Sequence, residues 1–187
     1  MDKKKIEAAI RMLFEAIGDD PDRPGIKKTP QRYARLCEEV FAGIGNDGAG
    51  LLNPLPSENY KELVMVRDIT FYSMCEHHLL PFFGKVHIAY LPSKNVAGLS
   101  KFARLTEVFS RRPQVQERLT GQIASSIQKH LKPRGVLVVI EAMHLCMSMR
   151  GIKKESSRVV TLSARGVFER SDKQAEVMRL LMRSNSQ

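Results

Sequence analysis

Tryptophan is missing from this 187-residue chain, and there are only three cysteines and five histidines. An odd, low cysteine count excludes a disulfide framework. It leaves the thiols free for a metal or for catalysis, and it fits a reducing cytoplasm. No apolar run approaches the roughly 20 residues that span a bilayer, so no membrane partner is expected. The opening MDKKKIEAAIRMLF is basic, but Glu7, Arg11 and Glu15 break what would have to be an apolar export core, so it reads as a helix. Long basic tracts are also missing. The net charge of +10 is scattered, with no run beyond Lys3-Lys4-Lys5. Such a balance suits an anionic partner. Aromatics are only 6 % and no nucleic-acid motif accompanies the charge, so nucleic acid is not expected; a phosphorylated small molecule stays open.

The hydrophobic fraction of 43 % is enough for one domain with a real core, or a domain with a small appendage. Ile6, Ala9, Ile10, Leu13, Phe14 and Ile17 recur at helical spacing until Gly18. A turn-rich DDPDRPG follows. Thr29-Pro30 then reads as an N-cap and a first-turn proline, opening a second helix. A Gly/Asn/Pro-rich loop from Gly43 to about Asn59 closes an N-terminal helical arm and linker, 1–59. In the remaining 60–187, segments 62–72 and 84–91 read as strands, and 100–110 and 113–131 as helices, the second opened by Pro113. Segments 135–147 and 158–168 read as strands, and a helix starts at Ser171. Paired strands separated by paired helices predict an α+β fold with antiparallel hairpins.

The chemistry concentrates in MCEHHLL, residues 74–80. Cys75-x-x-His78 is a two-ligand half site with zinc-like spacing. A second half could come from His144-Leu145-Cys146, because residues i and i+2 of a strand share a face. Cys75, His78 and Cys146 then make three ligands of the types zinc prefers, leaving one position for water. His77 and His144 are left over, and imidazoles titrate near operating pH. The competing reading is a hydrogen-bonded histidine pair beside small buried thiols. Ser100 and Lys101 open a helix, with Arg104 one turn on, and a helix N-terminus attracts anions. The bland alternative is a serine N-cap on a solvated basic helix. Gln116 and Glu117 lie in the first turn of the next helix, where an acid is favoured anyway. Arg32 and Arg35 share one helix face, and Arg150 follows the second half site closely.

Taken together, TPQR, VRDITFYSMCEHHLLPF, GLSK, RRPQVQERLT and HLCMSMRG resemble the GTP cyclohydrolase I family, in order and across most of the chain. The resemblance implies one zinc ion per subunit on Cys75, His78 and Cys146, with His77 and His144 in proton transfer. It implies that Glu117 holds the guanine edge, that Gln116 and Ser100 lie against purine and ribose, and that Lys101, Arg104 and Arg150 face the triphosphate. Arg32 and Arg35 would reach it from a neighbouring subunit. The implied reaction opens the imidazole ring of GTP at C8, releases formate and rearranges the ribose, giving 7,8-dihydroneopterin triphosphate. The implied fold is the tunnelling fold. Each subunit supplies a four-stranded antiparallel sheet with two helices on one face, and the sheets join into an oligomeric barrel, a homodecamer of two pentamers. A structural zinc protein that binds nucleic acid through its charge is the rival of a different class.

Overall fold

The computed structural model describes residues 1–182. It divides into two compact units, Met1–Ala42 and a second that begins at Gly43. The first is a helical hairpin. Helix α1 (Lys3–Ala16) starts where Asp2 accepts from the Lys5 N–H at 3.1 Å. It ends at Gly18, whose φ of +81° lets its N–H reach Glu15 O while Asp19 N–H reaches Phe14 O. Helix α2 (Thr29–Val40) begins one residue earlier than expected. Thr29 N–H already bonds Ile26 O at 2.7 Å, and Lys28 O accepts the first α-helical bond from Arg32. Thr29 is therefore the first helical residue, and no side chain caps it. Cys37 is buried on α2 as a small apolar residue, and burial pushes its thiol pKa up.

The second unit is α+β. Its strands in chain order are β1 (Leu55–Pro56), β2 (Val64–Cys75), β3 (Pro81–Leu91), β4 (Asn95–Val96), β5 (Pro113–Gln114), β6 (Gly135–His144) and β7 (Val159–Gly166). Its helices are α3 (Ser100–Ser110), α4 (Gln116–Leu131), the single turn α5 (Leu145–Ser148) and α6 (Ser171–Met182). The main sheet runs β5-β2-β3-β6-β7, with β1 and β4 forming a small separate ladder. Strands β2, β3, β6 and β7 are the expected antiparallel four. The short β5 was not anticipated. Pro113 and Gln114 pair in parallel with Met74 and Cys75, so Pro113 does not open a helix and α4 starts at Gln116. Both strands of the first hairpin are longer than the sequence suggested, meeting close to the MCEHH turn.

The core explains the layering. On β3, Val86, Ile88 and Tyr90 point to one face, as period-2 alternation requires. They pack with Val136, Val138 and Ile140 of β6, Phe102 and Leu105 of α3, and Leu119, Ile123 and Ile127 of α4, all essentially inaccessible. Each fully buried side chain of this size contributes about 1.5–3 kcal/mol before entropy is counted. The opposite face carries a smaller cluster: Ala89, Leu137 and Val139 under Val177 and Leu181 of α6. Strand β6 is buried on both faces over much of its length, which is why GVLVVI reads as a continuous apolar run. Gly84 lies opposite Ala142 in the antiparallel β3–β6 ladder, and a Cβ there would clash with Glu141 O. No helix among the described residues is long and apolar enough to cross a membrane.

Strand β2 carries a bulge. Its register with β3 slips between Val66 and Ile69, so Arg67 and Asp68 together oppose His87. Asp68 takes φ +59°, and its N–H bonds His87 Nδ1 at 3.2 Å. A histidine without a partner in the sequence thus satisfies the bulge. Burial lowers its pKa, with Arg67 and Lys85 acting the same way and Asp68 and Glu141 opposing. A histidine whose folded pKa lies below its unfolded value binds fewer protons when folded. The stability it contributes is complete above the unfolded value of about pH 6.5 and is lost as pH falls below that and through the lowered folded value. The thermal midpoint should therefore drop on acidification from about pH 7 to about pH 5, and drop less in His87→Gln. Equal slopes for both proteins would remove His87 as a contributor.

Candidate metal centre and active site

The CEHH segment is the connection of the β2–β3 hairpin. Cys75 N–H bonds Leu80 O at 2.9 Å, and Leu79 N–H returns to Cys75 O at 2.8 Å, with Leu79 at φ +50°. This tight loop brings His78 back over Cys75. Cys146 arrives differently from the expectation of a shared strand face. Strand β6 ends at His144, and Leu145–Ser148 form one helical turn. Ser148 Oγ donates to His144 O at 3.2 Å and Met149 N–H to Leu145 O at 3.0 Å, so the turn takes over carbonyls that a longer strand would leave unpaired. Cys146 sits on that turn and still converges. The ligand atoms of Cys75, His78 and Cys146 all lie within 4.8 Å of one another.

The donor set fits a soft or borderline divalent cation such as zinc. Cys75 is buried within the main core cluster, Cys146 packs against it, and His78 is exposed, so the group is closed on its thiol side and open on its imidazole side. Burial and the neighbouring Cys75 push the Cys146 thiol up. The Cys146 thiol therefore resists ionisation without a cation nearby. His77 lies alongside, its Nδ1 3.9 Å from Cys75 Sγ. Arg150, expected to face phosphate, donates from Nη1 to His78 Nε2 at 3.0 Å.

The other expected histidine is built into the sheet. His144 pairs with Phe82 across β3–β6 and stacks on its ring at 4.6 Å and 6°. Its Nε2 lies 2.7 Å from Gln116 Oε1. Gln116 is 1 % exposed. Its amide nitrogen faces Ile140 O at 3.1 Å, Val159 O at 2.9 Å and Thr161 Oγ1 at 3.0 Å. A flipped amide would set its oxygen against two carbonyls, so the oxygen must face His144. His144 therefore carries its proton on Nε2, and Nδ1 holds the lone pair. Burial lowers the His144 pKa, and nearby Glu117 works against that. The imidazole is thus neutral near pH 7.

The first turn of α3 holds exposed Ser100, half-buried Lys101 and exposed Arg104. The helix is preceded by Leu99, and no side chain caps it, so Ser100 is its first residue and not its cap. No hydrogen bond or ion pair among the described residues joins these three to the cysteine–histidine group. Arg32 and Arg35 belong to the first unit. With Arg11, Lys27 and Lys28 they line a cavity of about 550 Å³ whose only acid is Asp22. Sequence reasoning gave no role to Gln114, Arg118 or Thr161, which support this site. Gln114 and Arg118 stand within the RRPQVQER segment, but a short parallel strand has no signal in periodicity.

An α+β sheet whose hairpin turn and strand end bring two thiols and an imidazole together carries a group that could hold a metal ion, the arrangement of a hydrolytic enzyme's site. More narrowly, the chain belongs to the GTP cyclohydrolase I family, whose sequence model matches residues 6–182. It is a family of hydrolases acting on the C–N bonds of cyclic amidines. The chain is 57 % identical over 183 residues to the GTP cyclohydrolase 1 of Carboxydothermus hydrogenoformans, covering 97 % of this chain and 95 % of that protein. It is 53 % identical over 185 residues to the GTP cyclohydrolase 1 of Desulforamulus reducens, covering 98 % and 99 %. A crystal structure of the archaeosine synthase QueF-Like in the apo form aligns over 56 % of this chain and 93 % of that one, at 17 % identity and a TM-score of 0.46. That likeness is too low to carry an argument.

The buried carboxamide can be tested by itself. Gln116→Leu strips His144 Nε2 of its acceptor and takes the amide from Ile140 O and Val159 O, and should cost on the order of 1–3 kcal/mol in denaturant unfolding. A variant as stable as the parent would mean that water replaces the amide.

Proposed function

We propose that this chain converts GTP and water to formate and 7,8-dihydroneopterin triphosphate, the first step toward tetrahydrofolate and other pterins. The observation that carries the reading is the convergence of Cys75, His78 and Cys146 beside a neutral His144, in a chain of this family. Those three residues would hold one zinc ion per subunit. Zinc bound there supplies Lewis acidity and lowers the pKa of water. His144 accepts at Nδ1 the proton released as water adds to C8, and delivers it to the adjacent ring nitrogen. Its Nε2–H stays on Gln116, so the ring keeps its orientation throughout. Gln116 serves the purine step through His144, since its own amide is fully engaged. His77, exposed beside Cys75, handles protons in the later ring opening, and Ser100 assists the sugar rearrangement.

Glu117 selects guanine, because a carboxylate accepts from N1–H and the exocyclic amine together and adenine presents no such pair. Lys101, Arg104 and Arg150 take the triphosphate, Arg150 turning from His78. Arg32 and Arg35 reach it from a neighbouring subunit. That requires a homo-oligomer, a decamer of two pentamers whose sheets join edge to edge. Edge strand β7 supports this, with Val160 58 % and Leu162 40 % exposed. Residues 1–59 form the arm and linker and 60–187 the catalytic domain. Free cysteines support a cytoplasmic location.

Zinc-loaded protein incubated with GTP should give formate and pterin in equal amounts, read by formate assay and by fluorescence after oxidation. Neither product, with zinc shown to be present, would return the chain to the binding-protein reading. His144→Ala should keep zinc and lose formate release by roughly 10²–10⁴-fold; loss of zinc as well would make His144 a ligand. Glu117→Ala should abolish GTP turnover with the fold intact, and unchanged turnover would take it out of the guanine pocket.

A further inference from the structure

The turn between the first two metal ligands is anchored from outside. Glu76, between Cys75 and His77, gives its backbone N–H to Gln114 O at 3.0 Å. Its carboxylate Oε2 is held by Arg118 Nη2, and its other oxygen lies 3.9 Å from His77 Nε2. Arg118 stands in the first turn of α4, and its Nε donates to Gln114 Oε1 at 2.9 Å. Gln114 is itself fixed. It is 1 % exposed, and its amide donates to Phe109 O at 2.9 Å and Gln122 Oε1 at 2.8 Å. A chain of contacts therefore runs from the buried Gln114, through the guanidinium, to the carboxylate beside Cys75.

An ion pair as exposed as Arg118–Glu76 usually contributes little, because two long side chains must be ordered to make it. Here that ordering is already supplied. Gln114 holds one edge of the guanidinium, and the backbone bond from Glu76 to the same residue fixes the other partner. The fork of an arginine is needed for the two contacts; a lysine ammonium reaches one acceptor at a time on a flexible stem. We infer that Arg118 is a positioning residue for the metal centre, locking the Cys75–His78 turn against the β5–α4 junction through Glu76. It touches neither a ligand atom nor a reacting atom. Partners that bond a ligand directly typically alter metal affinity by about 10–100-fold, and Arg118, acting through the residue next to Cys75, stands at the lower end of that range. The inference rests on the metal reading proposed above.

The test is zinc affinity by chelator competition, read beside the thermal midpoint of the metal-free protein. Arg118→Ala should bind zinc about 10-fold or more weakly, with little change in the metal-free midpoint. Arg118→Lys, which keeps a cation near Glu76, should recover part of the loss. Glu76→Gln should weaken binding by a similar factor, and the double variant should lose no more than either alone, because both remove one interaction. Wild-type affinity in Arg118→Ala, or losses that multiply in the double variant, would overturn the inference. If Arg118→Ala fails to fold, Glu76→Gln decides by itself, and unchanged affinity there overturns it equally. Wild-type protein that takes up no zinc would instead overturn the metal reading, and the inference with it.

Discussion

The Gln116 carboxamide is the interaction on which the arrangement of this unit depends. It sits at the start of α4, under the sheet, and reaches β6, β7 and His144 at once. Such a group is costly to bury alone, and worth burying only when every donor and acceptor is matched. Matching it fixes three things together: where α4 begins, how β7 lies against β6, and which nitrogen of His144 bears the proton. Thr120 and Thr161 extend the same network, their hydroxyls 2.6 Å apart. A core of leucine and isoleucine could hold these elements at the same distance, but it could not choose a tautomer.

The metal group draws on the opposite property. Cys75 is a member of the apolar core, Cys146 packs against that core, and the imidazole faces out. Both readings of the cysteines in the sequence are therefore satisfied at one place: Cys75 is a buried small residue and also a candidate ligand. The sulfur side is rigid because the core is packed around it. The histidine side is open because a loop carries it.

Much of this was legible in the residues. The alternation in GKVHIAYL, the apolar run in GVLVVI and the stop at Gly18 each state a local rule that the fold obeys. The Cys75-x-x-His78 spacing and the HLC triplet pointed to the three residues whose donor atoms converge. The route to Cys146 was misjudged, because two residues of a strand and two residues of a helical turn look alike in a triplet. Pro113 was misplaced for a related reason: a two-residue parallel strand is created by its neighbour β2, not by its own sequence. Arg118 and Gln114 were invisible because each is an ordinary helix-start or loop residue until the hairpin turn is laid beside them. The role of Gln116 as a support for His144 also required the tertiary structure, since its partners lie 24, 28, 43 and 45 positions away.

The bulge in β2 reaches further than its own two residues. Before it, Val64 and Val66 face the main core while Leu63 and Met65 face the other cluster. After it, the odd-numbered Phe71 and Cys75 are the ones in the main core. Arg67 and Asp68 share one rung of the ladder, and so invert the phase of everything downstream. A regular strand of the same sequence would turn Cys75 toward the opposite surface of the sheet, a full strand thickness from Cys146. The parity of a backbone irregularity seven residues upstream thus decides whether the centre can assemble, and single-residue insertions or deletions in this stretch are incompatible with it unless a second one restores the count.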